Sequence, residues 1–199
     1  MKKLFVVLIL FAAAACLFAQ KSPAKPESTQ ESTVPPKFAL VIGNGAYTGL
    51  SKLTNPVNDA ADVAHVLEYL GFSVETVLNG TMNQMENAVL RLREKLSTSK
   101  NAYGFFFYAG HGVQSAGENF LIPVDANIPN ENYLRNRAVS VQTLLDDMND
   151  AGNSLNVVVL DACRDNPFGW SRSGSRGLAI PPARRQYYCL RDQRWPARQ

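Results

Sequence analysis

Apolar residues fall into two alternating patterns along the chain. Residues 38–42, 103–108 and 155–160 are short, nearly unbroken apolar runs rich in β-branched and aromatic side chains. Runs without polar alternation predict strands covered on both faces, as in a parallel sheet. Between them, apolar residues recur at helical spacing. Val63, Val66, Leu67 and Leu70 predict one face of a helix, with Asn55, Pro56 and Asp59 at its entrance and Gly71 at its exit. Met85, Val89, Leu92 and Leu96 line a second helix, and Leu144, Leu145 and Met148 the inner side of a short third one over residues 141–149. Residues 72–78 read as a further strand, Asn79 and Gly80 as a turn, and residues 114–125 as a small hairpin beyond the sheet. His65 lies just off the first helix's stripe and reads as a surface side chain. The alternation predicts an α/β fold: a mostly parallel sheet with right-handed crossovers and helices on both faces.

The N-terminal 37 residues do not fit this pattern. Met1, Lys2 and Lys3 precede an apolar run over residues 4–19, which has the form of a secretory signal. The run is shorter than the roughly 20 residues that a permanent span requires. Two boundaries stay open: removal of residues 1–19, or removal of residues 1–15 with lipidation of Cys16, which follows Ala13, Ala14 and Ala15. Residues 20–37 are Ser, Thr, Pro, Lys and Glu with hardly an apolar side chain, so they read as a disordered tether. The expected location is outside the cytoplasm, in the periplasm, on the cell surface or free, with membrane attachment only through a lipid on Cys16.

Length and charge narrow the function. A chain of 199 residues suits one domain with a proper core. Its 20 basic and 17 acidic residues form no basic stripe, so nucleic acid is not an expected partner. Cys16, Cys163 and Cys189 stand in unlike contexts without metal-ligand spacing, and no metal site is expected.

Two of the predicted strands end in chemistry. One runs into Gly110, His111 and Gly112, the other into Asp161 and Cys163. In an open α/β sheet the C-terminal strand ends form the ligand edge, so neighbouring strands would bring His111 and Cys163 together. A cysteine attacks as its thiolate, and a nearby histidine can take the thiol proton. Backbone N–H groups of Gly112 and Cys163 would then stabilise the oxyanion on an attacked carbonyl. Taken singly, such a cysteine reads equally as a small buried hydrophobe and such a histidine as a boundary residue.

The residues over 105–114 and 158–168 resemble the histidine and cysteine blocks of the caspase-like peptidases, most of all the bacterial metacaspase type. Three further blocks agree in order: residues 39–44 followed by Tyr47; Leu53 with Asn58, Asp59 and Ala60; and residues 120–125. The resemblance covers residues 38–179. It implies a caspase-like fold and hydrolysis of peptide or protein substrates, with His111 as base and Cys163 as nucleophile. It also implies that Asp59 and Asp161 line a pocket for Arg or Lys, since a cation neutralises carboxylates that are costly to bury alone. For Asp59 a helix-cap role, and for Asp161 an orienting role in a loop, are the structural alternatives.

Two departures qualify what the resemblance implies. Some members hold calcium through paired acids before the cysteine strand. The matching residues here are Ser140, Val141, Gln142 and Thr143, so no cofactor is expected, and Asp146 and Asp147 read as solvated helix acids. Residues 180–199 show neither strand alternation nor helix periodicity. The resemblance implies further strands there, and codons for residues 186–193 read one base later can spell the residues it implies, so an atypical, frameshifted tail and a sheet truncated at its C-terminal end are expected. The alternatives to a peptidase are then a catalytically silent caspase-like binding module or a truncated relic.

Overall fold

The computed structural model describes residues 34–163, Phe168 and, as backbone, residues 186–190; of Cys163 it describes the backbone. The signal, Cys16 and most of the tether lie outside the described residues. In chain order the elements are β1 (Lys37–Gly43), α1 (Pro56–Tyr69), β2 (Ser73–Leu78), α2 (Met82–Ser97), β3 (Tyr103–Ser115) and β4 (Glu118–Leu121). A 3-10 turn over Glu131–Tyr133 leads into α3 (Leu134–Arg137), β5 (Val139–Ser140), α4 (Val141–Asp150), β6 (Leu155–Cys163) and β7 (Gln186–Leu190).

Five strands form a parallel sheet in the order β2-β1-β3-β6-β7. The far end of β3 runs on past this sheet and pairs antiparallel with β4, which pairs with β5. Because side chains alternate along a strand, each central strand feeds two cores. Leu40, Ile42, Phe106, Tyr108, Val158 and Leu160 face α2 and α4, whereas Ala39, Val41, Phe107 and Ala109 face α1. A third cluster, including Tyr47, Val113, Phe120 and Ile122, fills the space under the antiparallel extension. Helix α2 is anchored by a capping box: Gln84 N–H donates to Thr81 Oγ1, and Thr81 N–H donates to Gln84 Oε1.

The expected α/β architecture is present, with three local corrections. The buried stripe of α1 is Pro56, Ala60, Ala64 and Leu67, while Val66 and Leu70 are 55% and 52% exposed. The helix lies so close to the sheet that a Cβ on Gly43 would come within 2.7 Å of Ala60 Cβ. Small residues therefore make the contact, although Val and Leu dominate the hydrophobic pattern. Strand β3 does not end at Tyr108 but continues through Gly110, His111 and Gly112, and the hairpin turns at Ala116 and Gly117, both with positive φ. In the tail, expected to hold no regular element, Gln186–Leu190 forms β7 against β6. A strand in a parallel sheet needs no polar alternation, which is why the periodicity did not show it.

Candidate active site

Strands β3 and β6 are neighbours, in a register that sets His111 opposite Cys163 and Ala109 opposite Asp161. Paired strands lie about 4.8 Å apart, so the backbones of the two candidate reactive residues are side by side at the C-terminal end of the sheet.

His111 is 5% exposed, and its imidazole is held on two sides. Its Nε2 lies 2.8 Å from the carbonyl oxygen of Ser51, and the Tyr47 ring packs against it at a centroid distance of 4.5 Å. A carbonyl oxygen only accepts, so this contact places the proton on Nε2 and leaves the lone pair on Nδ1. The main chain of His111 is fixed as well. Its N–H donates to the Tyr47 hydroxyl at 2.7 Å, and its carbonyl accepts from the Tyr108 hydroxyl at 2.7 Å and from Ile122 N–H at 3.0 Å. Complete burial, reinforced by Tyr47, pushes the Tyr108 hydroxyl well above its ordinary pKa, so it stays a neutral donor. Gly110 makes this arrangement possible. A Cβ there would lie 2.6 Å from both tyrosine hydroxyls.

Gly112 follows in the same strand and is buried. It stands opposite Leu121, and the neighbouring ladder bond runs from Ile122 N–H to His111 O. Alternation along an extended strand therefore directs the Gly112 N–H to the other edge of β3, the edge along which β6 runs.

Beside this edge is a cleft of about 90 Å³ lined by Leu53, Thr54, Asn55, Pro56, Asp59, Ala109, Gly110 and Asp161. Asp59 comes from the first turn of α1, and Asp161, 8% exposed, from β6. The two carboxylates foreseen as partners thus border one cavity, one residue from His111 along β3. Asp146 and Asp147 lie elsewhere: Asp146 accepts from Gln142, and Asp147 pairs with Arg93 at 3.2 Å. Ser140 caps α4, its hydroxyl accepting from Thr143 N–H.

Sequence reasoning named Tyr47 and Leu53 in the blocks of the resemblance but gave no site role to the loop over residues 44–55, which supplies Tyr47 and Ser51 to His111 and Leu53, Thr54 and Asn55 to the cleft. Ser51 acts through its carbonyl, which any residue carries, so it leaves no mark in the sequence.

Residues 36–191 match the peptidase family described as the caspase domain. This chain belongs to that family. The caspase domain here is 36% identical over 140 residues to the human mucosa-associated lymphoid tissue lymphoma translocation protein 1, and 37% identical over 142 residues to its mouse homolog. These alignments take in 70% and 71% of the chain but only 16% of either relative, so the chain spans about a sixth of their length. Among solved structures, protein GSU0716 of Geobacter sulfurreducens superposes with a TM-score of 0.52 at 22% identity, over 65% of this chain and 51% of that one. That likeness concerns the fold alone.

Proposed function

We propose that this caspase domain is an exported bacterial cysteine endopeptidase that hydrolyses peptide bonds after Arg or Lys, with Cys163 as nucleophile and His111 as base. The observation that carries the reading is the orientation of His111. With Nε2 committed to Ser51 O, Nδ1 is the basic nitrogen, and the register sets Cys163 on the adjacent strand.

In this reading, Nδ1 takes the thiol proton and the Cys163 sulfur attacks the scissile carbonyl carbon. The oxyanion is held by backbone N–H groups near Gly112 and Cys163, interactions that contribute about 3–4 kcal/mol per donor in comparable sites. Protonated His111 then gives its proton to the departing amine, leaving a thioester on Cys163. A water molecule, deprotonated by the same imidazole, hydrolyses the thioester and restores the thiol. Asp59 and Asp161 receive the guanidinium or ammonium group of the residue before the scissile bond. No cofactor takes part. Export rests on residues 1–19, with lipidation of Cys16 or a free mature chain as its two outcomes. Incorporation of labelled palmitate separates them.

The test of the reading is turnover of fluorogenic peptides ending in Arg, Lys or Asp by the chain from residue 20 onward. Cleavage after Arg or Lys and not after Asp supports it. Cleavage after Asp alone, or none, counts against it.

A further inference from the structure

The turn between β2 and α2 is tied to the active site by a contact that the reaction scheme above does not use. Asn79 has a positive φ of 53°, a conformation that asparagine tolerates better than most residues. Its side-chain Oδ1 accepts two hydrogen bonds from consecutive backbone amides, Gly45 N–H and Ala46 N–H, each at 2.9 Å. Two successive N–H groups converging on one oxygen form a nest, which holds an oxygen ligand firmly. The Asn79 N–H in turn donates to Gly43 O at 2.8 Å, so the residue grips the end of β1 from both sides.

The contact continues into the site. Gly45, held through its N–H, accepts through its carbonyl from Leu53 N–H at 3.0 Å, closing the loop between them. A Cβ on Gly45 would lie 2.5 Å from Leu53 O, so this closure is tight. The closed loop carries Tyr47 and Ser51, both on His111, and Leu53 opens the stretch that walls the acidic cleft. Apart from Tyr47, the loop over residues 46–55 is mostly exposed. Tyr47, with Leu50 and Leu53 packed beside it, and the Thr48 N–H bond to Val124 O at 3.0 Å hold the middle of this loop, while the Asn79 nest holds its start; a largely exposed loop keeps its place only where such contacts pin it.

We propose that Asn79 is a positioning residue: seated in the Gly45–Ala46 nest, its carboxamide oxygen holds the loop that presents Ser51 to His111 and Leu53, Thr54 and Asn55 to the cleft. The inference rests on the peptidase reading for its kinetic consequence, but its structural content can be read without turnover.

The experiment compares the wild-type chain with Asn79→Asp, which keeps the accepting oxygen, and Asn79→Gly, which suits the positive φ but empties the nest. The His111 Nε2–H proton, followed by nitrogen-15-edited NMR, should be sheltered from exchange in the wild type and Asn79→Asp and exposed in Asn79→Gly. On an Arg peptide, Asn79→Gly should lose about 10²-fold in kcat/KM, the scale of a misplacement near 1 Å, with kcat falling and KM rising. Asn79→Asp should recover most of that loss. An unchanged Nε2–H signal in Asn79→Gly, or an Asn79→Asp variant as impaired as Asn79→Gly, overturns the inference. A wild type that cleaves nothing, yet whose Nε2–H proton depends on Asn79, defeats the peptidase reading and leaves the positioning intact. Should Asn79→Gly not fold, wild-type amide exchange decides: Gly45 and Ala46 protected together support the nest, and rapid exchange at both overturns it.

Discussion

The Nε2 atom of His111 lies 2.8 Å from the carbonyl oxygen of Ser51, sixty residues earlier in the chain. This one contact fixes both the tautomer and the tilt of the imidazole, and it comes from a backbone group on a loop. Ser51→Ala is therefore expected to retain activity within about twofold, because the carbonyl survives and the Ser51 hydroxyl is 3.5 Å away, at the limit of a hydrogen bond. His111→Ala should remove turnover. Steady-state kinetics of the two variants side by side checks the assignment.

The Tyr47 hydroxyl accepts from the buried His111 N–H, and the Tyr47 ring supports the imidazole. Tyr47→Phe keeps the ring but removes the acceptor, at a cost of about 1–3 kcal/mol for a buried donor without a partner. Tyr108→Phe should cost less at this point, since His111 O keeps its bond from Ile122 N–H. Denaturant unfolding of both variants, read beside kcat, measures the difference.

Asp161 is more deeply buried than Asp59 where both border the cleft. If the cleft receives a cationic side chain, Asp161→Asn should lower kcat/KM for an Arg peptide by about 10–10²-fold, the equivalent of roughly 1.4–2.8 kcal/mol. Asp59→Asn should have the smaller effect. The ratio of Arg-peptide to neutral-peptide turnover reports the loss of selectivity in each case.

Away from the site, Glu75 on β2 binds Arg91 at 2.7 Å and Lys95 at 3.1 Å. Partial burial pushes its carboxyl up, but the hydrogen bonds and charges of Arg91 and Lys95 outweigh this and hold it below the ordinary value of 4.5. A carboxyl depressed in the folded state contributes stability above its unfolded pKa and loses it as pH falls through the folded pKa. Glu75→Gln is thus expected to be less stable than wild type at pH 7 by no more than about 1 kcal/mol, since Arg91 is half-exposed. Unfolding curves at neutral and strongly acidic pH should show that gap closing in acid.

The sequence disclosed what depends on burial. Strands β1, β3 and β6 are covered on both faces, so they appear as continuous apolar runs, and the sequence alone placed the candidate residues His111 and Cys163 at the ends of two of them. Helix α2 was legible because Met85, Val89, Leu92 and Leu96 carry its contact. Helix α1 was misread because alanine makes its close approach to Gly43, and alanine barely registers in a hydrophobic pattern. The Ser51 carbonyl and the Gly45–Ala46 nest are backbone groups and leave no signature in residue type. Asn79 was visible only as a turn residue, since its second role depends on a partner more than thirty positions away.

The central claim is that Cys163 is the nucleophile and that His111 activates it. It is tested most directly by treating the chain with an Arg-containing peptidyl chloromethyl ketone and locating the adduct by mass spectrometry of the digested protein. The account predicts one adduct, on Cys163, forming rapidly in the wild type and much more slowly in His111→Ala. Labelling of Cys189 in place of Cys163, or an equal rate of Cys163 labelling without His111, would contradict it.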